Sequence, residues 1–183
     1  MNSFRIKLRN IYPLFILALI VFLGIIALHI GLIINVTPSI TRGVYMKSAK
    51  EIKHGDIVAF CLSEPYKSIG LKSQYIEKGR NCDGTDPLIK EVIAIPGDKV
   101  ILSNTFITIN NKKYPYKTLF MDSNGHNLAY YPRGTYFSSG YWLIGSNSPK
   151  SWDSRYWGPI NTHQVLYKVI PIFTLPNDVT RFQ

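Results

Sequence analysis

The strongest pattern along the chain is a run over residues 12–34, 23 positions without Asp, Glu, Lys or Arg, interrupted only by Pro13 near its start and His29 near its end. At about 1.5 Å rise per residue such a run spans a hydrocarbon core of roughly 30 Å, which predicts a transmembrane helix over 12–34. A cleavable secretory signal has an apolar stretch of about 7 to 15 residues closed by a small-x-small site, and neither feature is present. His29 reads as a tolerated interfacial residue rather than part of a polar path. Beyond the run the pattern changes to short bursts of Val, Ile, Tyr and Phe separated by Gly, Pro, Asn and Asp, the signature of strands and turns. Strands are predicted at 56–62, 88–95, 106–109, 112–116, 141–144 and 165–175, with Asn110-Asn111 as a tight hairpin turn. No later stretch keeps a period of 3.6 over three turns, so the exported part is predicted mostly β, folded or closed so that its edges are protected. The segments 63–86 and 117–135 lack either period and are expected to be surface excursions.

Length and charge turn this pattern into a layout. A chain of 183 residues, 46% of them apolar, can bury one sizeable core but is short for two domains. Arg5, Lys7 and Arg9 precede the apolar run with no acidic residue, so the positive-inside rule assigns a cytoplasmic tail at 1–11, a helix at 12–34 and an extracytoplasmic domain at 35–183. With those three set aside from the 21 basic residues, 18 stand against 11 acidic ones. Such an excess favours anionic headgroups, yet no basic helix interleaved with aromatics suggests a nucleic-acid partner. Cys61 and Cys82 are the two cysteines and both fall on the exported side, where a disulfide persists. A bridge closing that loop contributes on the order of 3 kcal/mol. No CxxC or His-rich set implies a metal, and no organic cofactor is implied.

The chemistry is narrowed first by what is missing. There is no HExxH, no GxSxG, no GxxxxGK[ST] and no GxGxxG. His29, His54, His126 and His163 stand apart from any conventional triad pattern. Three blocks remain: 35–45, Asn-Val-Thr-Pro-Ser-Ile-Thr-Arg-Gly-Val-Tyr; 88–98, Leu-Ile-Lys-Glu-Val-Ile-Ala-Ile-Pro-Gly-Asp; and 145–158, Gly-Ser-Asn-Ser-Pro-Lys-Ser-Trp-Asp-Ser-Arg-Tyr-Trp-Gly. In order and separation they resemble the nucleophile, lysine and C-terminal boxes of type I signal peptidases. The cysteine loop, the SxxRGxY arrangement and the short length look more like the conjugative-transfer branch, the TraF-type peptidases.

That resemblance implies a membrane-anchored Ser-Lys endopeptidase with a signal-peptidase-like β domain, at the bacterial inner membrane and facing outward. It makes Ser39 the nucleophile and Lys90 the general base, and puts Thr37 where the family has a hydroxyl that helps bind the oxyanion. Ser151 matches a serine that hydrogen-bonds and orients the lysine, and Asp153 with Arg155 match a supporting ion pair. A backbone N–H at Ser39 could supply another oxyanion donor. The substrate expected is a precursor with a membrane-embedded leader and small residues on the acyl side of the cut, a conjugative pilin or other transfer component. A housekeeping signal peptidase is the alternative, and a non-catalytic assembly protein of a conjugation or secretion apparatus the second.

The residues agree with this chemistry on their own terms. An alcohol nucleophile needs a base within hydrogen-bonding reach, and a neutral lysine serves if its charged form is disfavoured. A free lysine is neutral about once in a few thousand molecules at pH 7, a deficit of roughly 4 to 5 kcal/mol that burial has to supply. Strand alternation puts Lys90 on the face with Leu88 and Val92. Alone, Lys90 reads as a snorkelling strand residue and Ser39 as a turn residue after proline; the blocks around them reverse both readings. Ser39 lies five residues past the apolar run, within roughly 18 Å of its end even if extended, so the reaction belongs at a membrane surface. Three positions depart from the family pattern: Thr41 where proline is common, Glu91 where arginine usually follows the lysine, and Ser146 where Gly-Asp-Asn is usual.

Overall fold

The computed structural model describes residues 2–176, the side chains of 2–11 and 27–29 excepted. Helix α1 covers Asn2–His29. The apolar run is therefore divided, because Gly31 takes φ +74° and turns the chain into strand β1, Leu32–Asn35. The expected end of the helix at residue 34 moves back to His29. The physical reason is pairing: Leu32, Ile33 and Ile34 ladder antiparallel against Met46, Tyr45 and Val44, which residues in a helix could not do. Among the described residues no helix is long and apolar enough to cross a membrane. Expectations for the side chains of Arg5, Lys7, Arg9 and His29, and for 177–183, lie outside the described residues.

The rest is mostly β, as the alternating bursts predict. Strands β2 (Gly43–Ser48), β3 (Ile57–Phe60), β4 (Leu88–Ala94), β9 (Trp142–Ile144) and β10 (Val165–Thr174) join β1 in a six-stranded antiparallel sheet of order β1-β2-β10-β3-β4-β9. Strands β5 (Lys99–Leu102), β6 (Ile107–Ile109), β7 (Lys112–Tyr114) and β8 (Gly134–Phe137) form a second sheet of order β7-β6-β5-β8. All six strands expected from the sequence are present. Asn110 and Asn111 both have positive φ, the left-handed geometry a two-residue hairpin demands. Strands β1, β2, β5 and β8 were not anticipated; β1 falls largely inside the apolar run read as a helix, and β2, β5 and β8 lack a clean apolar alternation.

Strand β9 and the last three residues of β4 are buried on both faces, which explains their unbroken apolar sequence. Val92 and Leu143 pack with Phe60, Tyr156 and Trp157 on one side. Ile93, Ala94, Trp142 and Ile144 pack with Val100, Leu102 and Ile107 of the second sheet on the other. Truncating fully buried Trp142 to alanine is expected to cost about 3–5 kcal/mol.

The two irregular segments are more ordered than expected. Segment 63–86 contains helix α2, Tyr66–Lys72, two turns at most and so below the reach of a periodicity argument. Lys67 ties this loop together through Asp83 at 2.8 Å and Glu64 at 3.4 Å, and the Cys61–Cys82 disulfide is formed across a Cα separation of 5.3 Å. Segment 117–135 is anchored inward, with Thr118 fully buried and Tyr131 set edge-on against Trp142 at 5.6 Å. Both lie mostly at the surface, as expected, and a few buried contacts that carry no local sequence signal hold them down.

Candidate active site

Two of the three sequence blocks, far apart in the chain, line one cleft of about 620 Å³. Thr37, Pro38 and Ser39 line it from the loop after β1, Leu88, Ile89 and Lys90 from β4, and Tyr75, Ile76 and Glu77 from the cysteine loop. The third block packs against the loop that carries Ser39. Its Asn147 N–H donates to the Ser39 carbonyl at 3.1 Å, and its Asn147 Nδ2 donates to Thr41 Oγ1 at 3.0 Å. Gly145 is needed for this approach, since a Cβ there would overlap the Ser151 side chain and crowd Ser39 Cβ.

Lys90 sits in β4 opposite Val58 of β3 and is 5% exposed. Burial lowers its pKa to about 8, with Asp153 pulling it upward and Arg155 pushing it down. At that value roughly a tenth of the amine is neutral at pH 7, several-hundredfold more than for a free lysine. Lys90 is buried on its strand, as the alternation of the sequence predicts.

Behind Lys90, Asp153 and Arg155 form a fully buried bidentate pair, with Nε donating to Oδ1 at 2.7 Å and Nη2 to Oδ2 at 2.8 Å. Burial works against the guanidinium charge, but Asp153 outweighs it and holds Arg155 above its ordinary value. The remaining guanidinium hydrogens go to the carbonyls of Lys117, Pro149 and Ser151. Asp153 also caps helix α3, Ser154–Trp157, and accepts the Gly145 N–H at 3.1 Å. One ion pair thus positions the Gly145 turn, the Ser151 backbone and the field around Lys90.

Ser151 is buried, and its Oγ makes no hydrogen bond among the described residues. The expected Ser151 to Lys90 bond is therefore not formed in this arrangement; the hydroxyl lies instead against Gly145, on the side of Ser39. Thr37 is exposed and its hydroxyl donates to Asn35 Oδ1 at 2.8 Å, so it must rotate away from Asn35 to serve an oxyanion.

Asn35 is the residue the sequence reading passed over. It is 4% exposed. Its Nδ2 donates to the carbonyls of Thr37, Ile40 and Thr41, while its Oδ1 accepts from Thr37 N and Thr37 Oγ1. The loop that presents Ser39 is wound around this one amide. A signal was available: Asn two residues before Thr-Pro at the end of an apolar run fits an Asx turn. Thr41, which stands where proline is common, is gripped by Asn35, Asn147 and the Tyr45 hydroxyl. Glu91 faces away from Lys90 on the strand and helps burial push the Tyr116 phenol up to about 12. Among the described residues no cluster of His, Cys, Asp and Glu could hold a metal ion.

The profile of the family described as "Signal peptidase, peptidase S26" matches residues 6–174. A plasmid transfer protein TraF of Escherichia coli is 30% identical over 152 residues, 79% of this chain and 84% of that protein. A conjugal transfer protein TraF of Agrobacterium fabrum is 30% identical over 171 residues, 86% of this chain and 96% of that protein. A signal peptidase IB of Staphylococcus aureus is 30% identical over 155 residues, 73% of this chain and 75% of that protein. A solved signal peptidase I from Enterococcus faecalis is 20% identical and superposes with a TM-score of 0.37 over 70% of this chain and all of that one, too low a score to bear on the fold.

Proposed function

Because this chain belongs to the signal peptidase family, peptidase S26, we propose that it is a serine endopeptidase in which Ser39 attacks and neutral Lys90 takes the proton. The observation that carries the reading is the buried Lys90, with a pKa lowered to about 8, on the same cleft as Ser39. Ser39 Oγ adds to the scissile carbonyl while its proton passes to Lys90 Nζ. The tetrahedral oxyanion is met by the Ser39 N–H and by Thr37 Oγ1 after it turns from Asn35. Collapse expels the new amine, which takes the proton from Lys90, and water, deprotonated by the same lysine, then hydrolyses the acyl-enzyme. Asp153 and Arg155 are positioning residues, and Ser151 Oγ, buried and unsatisfied, is ready to orient the lysine once a substrate tightens the site.

The substrate is the leader junction of an exported precursor, cut at the outer face of the inner membrane. Helix α1 is the single-pass anchor in this proposal, its N-terminus cytoplasmic. The relatives named plasmid and conjugal transfer proteins, matched over 84% and 96% of their lengths, favour a conjugative pilin or another transfer component over a general set of exported proteins.

The test is cleavage of pilin-type and general exported precursors in proteoliposomes by wild type, Ser39→Ala and Lys90→Ala. Loss of at least about 10⁴-fold in both variants is expected, by analogy with other nucleophile and base removals. Undiminished cleavage by either variant sinks the assignment.

A further inference from the structure

A second cleft, of about 350 Å³, opens beside the first. Its floor is apolar, formed by Leu119, Leu128, Trp152 and Tyr156, and its rim carries exposed Met121 and Lys150. None of these residues has a part in the proton transfers above. One chain segment, 73–77, nevertheless walls both spaces. Residues 73–75 line the second cleft and residues 75–77 the first, with Tyr75 common to both. Across from them Lys150 and Trp152 flank Ser151, whose side chain lies against Gly145 beside Ser39.

Tyr75 is a fixed partition rather than a loose side chain. Its hydroxyl donates to Asp122 Oδ2 at 2.8 Å, and its ring lies 5.3 Å from that of Trp152. Asp122 is in turn clamped by the N–H groups of Asn124 and His126 at 2.8 and 2.9 Å. The second cleft is therefore preformed, as an apolar pocket with a polar rim should be if it takes a side chain of a passing peptide.

We propose that this second cleft is a subsite for the segment of the precursor that follows the cut, holding a bulky apolar or aromatic side chain of an extended chain; this rests on the peptidase reading above. Direction follows from connectivity. The first cleft runs to Ile33 and Val36, which lead directly out of α1 through β1. A leader arriving from the anchor side occupies that end. The chain that continues past Ser39 in the opposite sense meets Tyr75 and then the Trp152 floor.

The test uses two internally quenched peptides with Ala-x-Ala before the cut, one ending two residues after it and one continuing for about ten residues that include two phenylalanines. Met121, 55% exposed, can be changed without touching the core. Met121→Asp is expected to raise KM about tenfold for the long peptide, in the range of one misplaced side chain in an apolar pocket, and to leave kcat and the short peptide unchanged. Equal effects on both peptides, or none on either, overturn the subsite. A binding arm separates this from the catalytic reading: in Ser39→Ala protein the long peptide should change tryptophan fluorescence at about tenfold lower concentration than the same peptide with Phe→Asp. If it does so while wild type cuts neither peptide, the catalytic assignment falls and the subsite stands. If the two peptides bind alike, the subsite falls whatever wild type cuts.

Discussion

The two halves of the proposed dyad sit in opposite kinds of structure. Lys90 lies mid-strand in β4, buried with the Asp153–Arg155 pair behind it. Ser39 lies half-exposed in a loop, with no regular element around it, held by one asparagine and by the clasp of Asn147. The difference follows from what each group must do. A lysine becomes a base only where water is excluded and the backbone cannot relax to let it out. A nucleophile has to be reached by a substrate, so it is placed on a loop and oriented by side-chain hydrogen bonds to backbone carbonyls.

The sharpest way to break this comparison is Lys90→Arg. It keeps the charge and most of the volume, but arginine does not deprotonate in proteins, so cleavage is expected to fall by about 10⁴-fold or more at every accessible pH; residual activity rising with pH would show that burial is not what makes the base. Next comes Arg155→Ala, which leaves Asp153 charged and uncompensated in the interior. A loss of about 3–5 kcal/mol is expected in the denaturant midpoint analysis, and a change under 1 kcal/mol would mean that water already reaches the pair. On the loop side, Thr37→Val should lower kcat about a hundredfold, the scale of one lost oxyanion donor, with Thr37→Ser close to wild type. Equal losses in both would point instead to the Asn35 turn.

The smallest expected effect is a slope. Because the folded-state value of Lys90 is about 8, kcat/KM should rise roughly tenfold per pH unit below 8 and level above it. The same shift has a stability sign. Its folded value lies below the unfolded one, so between about pH 8 and 10.5 the unfolded chain binds more protons and stability rises with pH. Below 8 both states are charged and the cost of burying the ammonium is carried in full. A rate profile flat from pH 6 to 9 would remove Lys90 from the chemistry.

Much of the fold was legible in the sequence. Six strands and the Asn110-Asn111 hairpin follow from patterns within a dozen residues, the disulfide from there being two cysteines, both on the exported side, and the weakened Lys90 only from the resemblance of the block around it. What escaped notice was built from long-range contacts. Strands β1 and β2 exist because they pair with each other and β2 pairs with β10, not because four to six residues announce them. The unbonded Ser151 hydroxyl and the Asn35 hub depend on backbone carbonyls whose positions no local pattern reports.

By itself, then, the sequence determined that Lys90 lies on a strand among apolar neighbours, because residue type and a period of two act locally. Only the tertiary structure decided that the apolar run stops being a helix at His29, that segment 63–86 folds back to wall the cleft, and that Gly145, Ser151 and Ser39 come together. Those outcomes rest on pairing, burial and close approach between residues as much as a hundred positions apart, and such contacts are selected by the packing of the whole chain rather than by any segment of it.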